Sequence, residues 1–157
     1  MKGSPKVIEK LNQSLREELT AISQYIVHSE MYENWGYERL TKRIKKHSID
    51  EMKHAEGLIE RLLFLDGTPK MEPLGLSIGK TVKEMIESDL KAELGAIALY
   101  NEVARIAAEE KDNGTRDLFV RHLKDEEGHA DWLETQLHQI AELGYERYLT
   151  MQTSQGE

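Results

Sequence analysis

Asp50-Glu51-Met52-Lys53-His54-Ala55 is met again 75 residues later as Asp125-Glu126-Glu127-Gly128-His129-Ala130. The same offset carries Glu18-Leu19-Thr20-Ala21-Ile22-Ser23-Gln24-Tyr25 onto Glu93-Leu94-Gly95-Ala96-Ile97-Ala98-Leu99-Tyr100, which share the pattern E-L-x-A-I-x-x-Y. Each half of the chain therefore holds one glutamate followed 33 residues later by Glu-x-x-His. A repeat of this kind builds a fold from two similar units. What it repeats is a set of metal-ligand residue types.

Around these motifs the spacing predicts an all-α chain. From Pro5 to Asn34, Ile8, Leu11, Leu15, Glu18, Ile22, Tyr25, Ser29 and Tyr32 step by three and four, as along a bundle seam, with Ser4 as N-cap and Pro5 in the first turn. Trp35-Gly36 marks a turn. A second helix runs from about Glu38 to Leu65, with Leu40, Ile44, His47, Glu51, His54, Leu58 and Leu65 on its seam and Gly67 as the expected C′ residue. Residues 66–81 hold Pro69, Pro73, Gly75 and Gly79 and are too long for an ordinary helix–helix loop. At ~3.3 Å per residue they reach along a whole helix rising ~1.5 Å per residue, so a crossover is expected.

A third helix spans about Val82 to Lys111, with Ile86, Leu90, Glu93, Ile97, Tyr100, Ala104 and Ala107 on its seam. Asp112-Asn113-Gly114 turns the chain into a fourth, about Thr115 to Leu143, with Phe119, His122, Glu126, His129, Leu133 and Ile140 inward. Gly144 ends it, and a short fifth helix is expected over about 145–153. The two hairpin repeats are thus about 5–65 and 82–143, within one domain of residues 1–157.

In an antiparallel hairpin, residues equidistant from the turn lie level. The midpoint of Glu18 and Glu51 is 34.5, on the first turn, and that of Glu93 and Glu126 is 109.5, a few residues before the second. Within Glu-x-x-His the two side chains share one helix face. Folding one hairpin onto the other brings four glutamates and two histidines to mid-bundle, with no lysine or arginine on the seam at that level. Four buried carboxylates without compensation would be prohibitively costly. Two divalent cations balance them, and the oxygen-rich, imidazole-containing set suits iron or manganese.

Composition narrows the reading further. The net charge of −8, from 21 basic and 29 acidic residues, argues against non-specific nucleic-acid binding and favours metal cations. Zero cysteines exclude disulfides, thiolate metal sites and iron–sulfur clusters. Met1-Lys2-Gly3-Ser4-Pro5-Lys6 leads into an amphipathic segment rather than an apolar signal region, and no apolar run has the length of a membrane span. A soluble cytoplasmic protein is expected, with no membrane partner.

This ligand set is also that of ferritin-like di-iron bundles. Across nearly its whole length the chain resembles the bacterioferritins. The resemblance is carried by Glu18, Tyr25, Trp35-Gly36, Ser48-Ile49-Asp50-Glu51-Met52-Lys53-His54-Ala55, Ile59-Glu60-Arg61 with Leu63-Phe64-Leu65, Ile78-Gly79, Asp125-Glu126-Glu127-Gly128-His129 and Trp132-Leu133-Glu134-Thr135. It implies a ferritin-like four-helix bundle with a long crossover between helices 2 and 3. It implies a ferroxidase centre with Glu18, Glu51, His54, Glu93, Glu126 and His129 as di-iron ligands, Glu51 and Glu126 bridging. It further implies oxidation of Fe(II) by dioxygen or peroxide and storage of ferric mineral inside a hollow homo-oligomeric shell of 24 subunits.

Likeness to that family also places haem b on Met52, one methionine from each of two subunits across a two-fold axis, with a ferredoxin-type reductant for iron release. From spacing alone Met52 is off the seam, and with Leu19, Ile26 and Ile49 it forms a second apolar stripe of the sort that meets a partner. Tyr25 and Tyr100 lie two turns from Glu18 and Glu93, within reach of a ligand. In the family the Tyr25 position is linked to electron donation. Trp132 is a further candidate donor, near His129.

His47 and His122, again 75 residues apart, each precede a bridging-glutamate candidate by four residues. They read either as outer groups that orient Glu51 and Glu126 or hold iron in transit, or as core histidines hydrogen-bonded locally. Asp50 matches a family position associated with iron passage. A rival reading keeps the bundle but not storage: a di-metal oxidase, peroxidase or manganese catalase.

Overall fold

The same spacing that marks the seams closes the helices where the caps allow. The computed structural model describes residues 1–153, in five helices: α1 (Pro5–Asn34), α2 (Glu38–Phe64), α3 (Val82–Glu109), α4 (Asn113–Leu143) and α5 (Tyr145–Gln152). Ser4 occupies the first N-cap without a side-chain bond, and Pro5 starts α1. Thr81 and Asp112 cap α3 and α4 by accepting from the amides of Glu84 and Thr115. No strand forms among the described residues.

Two of three helix ends correct the expectation about turns. At each end two amides reach back to the last turn: Tyr37 N to Tyr32 O, Gly67 N to Leu62 O and Asp112 N to Ala107 O, each paired with a bond from the preceding amide to the carbonyl three residues before it. The left-handed residue is Gly36 in the first, but Asp66 and Lys111, both at φ 58°, in the other two. Gly67 and Gly114 are not the residues that supply positive φ. A Cβ on Gly67 would lie 3.1 Å from Ile8 Cγ2, and one on Gly114 would lie 2.5 Å from an Arg61 guanidinium nitrogen. Both glycines serve close approach instead. α4 begins at Asn113, before Gly114, with Asp112 as its cap, while α3 ends at Glu109 and α2 at Phe64.

α1 pairs with α2 and α3 with α4 as antiparallel hairpins; α1 packs on α3, and α5 folds back on α4 and α2. The core divides into two apolar clusters. One holds Leu11, Leu15, Leu58, Leu62, Tyr100 and Phe119; the other holds Tyr25, Tyr32, Ile44, Ile86, Leu133 and Tyr148. Every one of the four long helices passes from one cluster to the other. Each carries its glutamate, and α2 and α4 their histidine, in the interval between. Burying each leucine contributes about 1.5–3 kcal/mol, so the two clusters hold a polar layer that would not hold itself.

The crossover is strapped along α1. Asn12 donates to Thr68 O and accepts from Lys70 N; Thr20 Oγ1 accepts from Leu74 N. Further on, Gln24 Oε1 accepts from Ser77 N and His28 Nε2 from Gly79 N. Residues 66–81 contain no helix or strand, and polar side chains of α1 satisfy their amides instead. Beneath the strap, Asp89 is fully buried, 2.9 Å from both His28 Nδ1 and Gln24 Nε2.

Candidate metal centre

Glu18, Glu51, His54, Glu93, Glu126 and His129 are each 5% exposed or less, and all six converge between the two apolar clusters. They fall into two four-residue groups whose ligand atoms lie within 4.8 Å of one another: Glu18, Glu51, His54 and Glu126; and Glu51, Glu93, Glu126 and His129. Glu51 and Glu126 belong to both groups. The helix register explains this, since α2 and α4 run antiparallel and bring Glu51 level with Glu126 while Glu18 and Glu93 flank them from α1 and α3.

His54 Nδ1 lies 2.8 Å from Glu126, 3.1 Å from Glu51 and 3.5 Å from Glu18; His129 Nδ1 lies 3.1 Å from Glu51 and 3.3 Å from Glu93. The outward nitrogens donate to carboxylates as well. His54 Nε2 reaches Asp125 at 2.8 Å and His129 Nε2 reaches Asp50 at 3.0 Å. Such partners fix the ring so that the inward nitrogen faces a metal. Asp50, expected on a path for iron, also accepts from Lys46, 3.4 Å away. Asp125 was not foreseen, although the 75-residue offset carries Asp50 onto it.

Tyr25 OH donates to Glu93 and Tyr100 OH to Glu18, so the two outer glutamates each have a buried phenol behind them. Trp132 packs edge-on against His47, 5.4 Å between ring centres, with the Arg43 guanidinium over its ring. His47 in turn lies flat on His129 at 4.0 Å, and His122 lies flat on His54 at 4.2 Å. Neither extra histidine bonds Glu51 or Glu126, and neither is hydrogen-bonded locally. Both ring nitrogens of His47 and the Nδ1 of His122 are buried without a partner. Four imidazoles thus form two stacks across the α2–α4 seam.

Burial is the largest influence on all four carboxylates. It drives Glu18 well above the ordinary range, with the neighbouring Glu51 charge acting the same way, and it lifts Glu93 to about 8. Glu126 is raised by burial and by Glu51. Glu51 goes the other way: burial opposes its charge, yet hydrogen bonds with Glu18, His129 and His54 outweigh that. Burial also opposes charge on His129, but bonds to Glu51 and Glu93 win and lift it to about 11; His54 is raised, against burial, by bonds to Glu126, Glu18 and Glu51. His47 is pushed down to about 2 and His122 to about 3, by burial first and then by the charged ring stacked on each. Without metal, protons on the raised glutamates and on the two imidazoles together offset the buried negative charge.

The donor set fits two divalent cations. Oε2 of Glu18 and Oε2 of Glu93 are buried with no hydrogen-bond partner. A cavity of about 30 Å³, lined by Ala21, Gln24, Ala96 and Tyr100 of α1 and α3 as well as by the four glutamates, adjoins them. Cations among these donors would take up the unpartnered oxygens and displace the imidazole protons.

Met52 Sδ is on a different face. Met52, Ile49 and Ile26 are 46%, 47% and 47% exposed, while Leu19 is half-buried against the core. A thioether on an outward apolar stripe has the chemistry of an axial ligand to haem iron. No described helix is long and apolar enough to cross a membrane.

Comparison with known proteins agrees with this geometry. The ferritin-like domain family matches residues 8–143. A bacterioferritin of Brucella melitensis is 48% identical over 149 residues, covering 94% of this chain and 92% of that protein. A bacterial ferritin of Pseudomonas aeruginosa is 44% identical over 153 residues, 97% and 99% of the two chains. A bacterioferritin of Rhodobacter capsulatus is 46% identical over 145 residues, 92% and 90% of the two. With the bundle, the crossover and the doubled carboxylate–imidazole layer already in place, the likeness over the full length settles the family: this chain belongs to the ferritin-like proteins and, among them, to the bacterioferritins.

Proposed function

We propose that the chain stores iron and removes free Fe(II), oxidising it at the centre described above and depositing the ferric product as mineral inside a hollow oligomer. The observation that carries this is the sharing of Glu51 and Glu126 by two adjacent four-residue groups. Two Fe(II) ions held side by side can each give one electron to a single two-electron acceptor. Dioxygen taking both electrons and two protons leaves as hydrogen peroxide; peroxide taking both electrons and two protons leaves as water.

In this reading Glu18, Glu51, His54, Glu93, Glu126 and His129 bind the iron substrate. Hard carboxylates favour the ferric product, and the imidazoles, fixed by Asp50 and Asp125, hold each ion in one orientation. Tyr25 keeps Glu93 in place and stands beside the centre as an electron donor. Met52, with its counterpart in a second copy, would hold haem b between two subunits, where the group supplies one-electron transfer. The assembly is then a 24-subunit shell of such dimers, working in the cytoplasm with a ferredoxin-type reductant for release.

The test begins with metal-free assembled protein given Fe(II) without oxygen and then exposed to it. A fast ferric absorption phase that saturates at two iron atoms per chain, followed by slow uptake of many more into a very large particle, is expected. A small oligomer that stops at two metals per chain would replace this reading with the di-metal oxidase or manganese catalase. For haem, a Soret band lost in Met52→Leu is expected; a band unchanged in that variant would remove haem from Met52.

A further inference from the structure

On α2, Arg39, Lys42, Arg43 and Lys46 are spaced so that all four share one helical face. They border an open cavity of about 490 Å³ between α2, α4 and α5, a volume typical of small-molecule sites. The chain as a whole carries a net charge of −8, yet no acidic residue lines this cavity. Like charges at helical spacing repel one another, so the row is costly unless an anion meets it. Lys46 has Asp50 at 3.4 Å, whereas Arg39, Lys42 and Arg43 form no ion pair among the described residues. Arg43 is steadied by Trp132, whose ring centre is 5.2 Å from the guanidinium carbon. Gln136 and Gln152, each only 6% exposed, also line the cavity. Each gives one amide N–H to a backbone carbonyl, of Trp132 and Tyr148 respectively, and has a second to offer.

We propose that this cavity is an anion site for linked phosphates, a short oligophosphate chain laid along the basic row of α2. Arg39 and Lys46 are about 10 Å apart along the helix axis at 1.5 Å per residue. A single phosphate reaches one turn of such a row; a chain of phosphates meets both turns at once. Linked phosphates carry charge on every unit, which matches a row of separate cations better than one compact anion does. Arg39 and Arg43 present forked N–H groups to paired phosphate oxygens, and Lys42 adds a point charge between them. None of these residues belongs to the metal centre. The row approaches the centre only through Lys46, whose partner Asp50 also accepts from His129 Nε2.

Calorimetric titration of metal-free assembled protein with tripolyphosphate at low salt tests this. One site per chain is expected, with affinity about tenfold or more above that for orthophosphate. Arg39→Gln/Lys42→Gln removes two exposed charges of the row and should weaken tripolyphosphate binding at least about tenfold, with unchanged circular dichroism. Lys2→Gln/Lys6→Gln removes as much charge from another surface and should bind like the wild type. ATP carries three linked phosphates as well and should bind as tripolyphosphate does. No binding by the wild type would overturn the proposal. So would equal weakening in the two double variants, unchanged affinity in the first of them, or orthophosphate binding as tightly as tripolyphosphate. Tighter binding of ATP would overturn recognition of the phosphate chain alone and give the cavity to a nucleotide.

Discussion

Tyr25 on α1 and Glu93 on α3 are joined by a hydrogen bond from the phenol to the carboxylate, across the middle of the bundle. The repeat places its twin, Tyr100 to Glu18, on the opposite side. Tyr25→Phe keeps the packing and removes the donor. A hydrogen bond to a charged group is worth about 1.5–3 kcal/mol, so divalent-metal affinity at the Glu93 side should fall about tenfold or more. Calorimetric titration with Zn(II) checks this, with circular dichroism showing unchanged helix content.

Glu51 and Glu18 should behave differently although both are buried carboxylates. Glu51→Ala strips both four-residue groups, whereas Glu18→Ala leaves Glu51, Glu93, Glu126 and His129 together. Metal titration should find both tight sites lost in the first variant and one retained in the second. Rapid Fe(II) oxidation should disappear in Glu51→Ala and in His54→Ala.

The metal-free protein should become less stable as pH rises. Glu93, raised to about 8, and His129, raised to about 11, both bind a proton more tightly folded than unfolded. Their contribution is complete below their ordinary values and is lost as pH climbs through the raised ones. Thermal unfolding of metal-free protein should therefore show a lower midpoint at about pH 9 than at about pH 5.5. Bound Zn(II) needs those imidazoles deprotonated, so its affinity should rise over the same interval and the slope should flatten or reverse.

Asp112 is a structural carboxylate away from the metals. It accepts from Thr115 N at 3.0 Å, from Thr115 Oγ1 at 2.7 Å and from Arg61 at 2.7 Å. Burial alone would raise it, but these partners hold it below the usual carboxylate range. Asp112→Ala should cost about 1–2 kcal/mol as a lost helix cap. The loss should be largest near neutral pH and shrink as acid protonates the wild-type carboxylate, measured by urea unfolding.

The helices and the six inward groups were legible because period and repeat state them twice. Seam positions such as Leu11, Leu15, Glu18 and Tyr25 are buried as the three–four spacing requires. What escaped the reading depends on partners distant in sequence. Asn12, Thr20, Gln24 and His28 look like a solvated face of α1, yet they carry the crossover. Asp89 lies outside the seam pattern and is fully buried against His28 and Gln24. His47 and His122 were picked out by the offset, but one-dimensional spacing gives no sign that they would stack on His129 and His54. Gly67 and Gly114 misled because glycine marks both tight turns and tight contacts.

The strap of residues 66–81 along α1 settles a matter usually left to ions. Its anchors at Asn12, Thr20, Gln24 and His28 dictate how far the second hairpin slides along the first before any cation arrives. Vertical alignment of the two halves is thus a property of the polypeptide alone. A subunit whose ligands also fastened its halves would loosen on losing them; here the halves are fastened elsewhere, and metal can come and go without shifting one against the other.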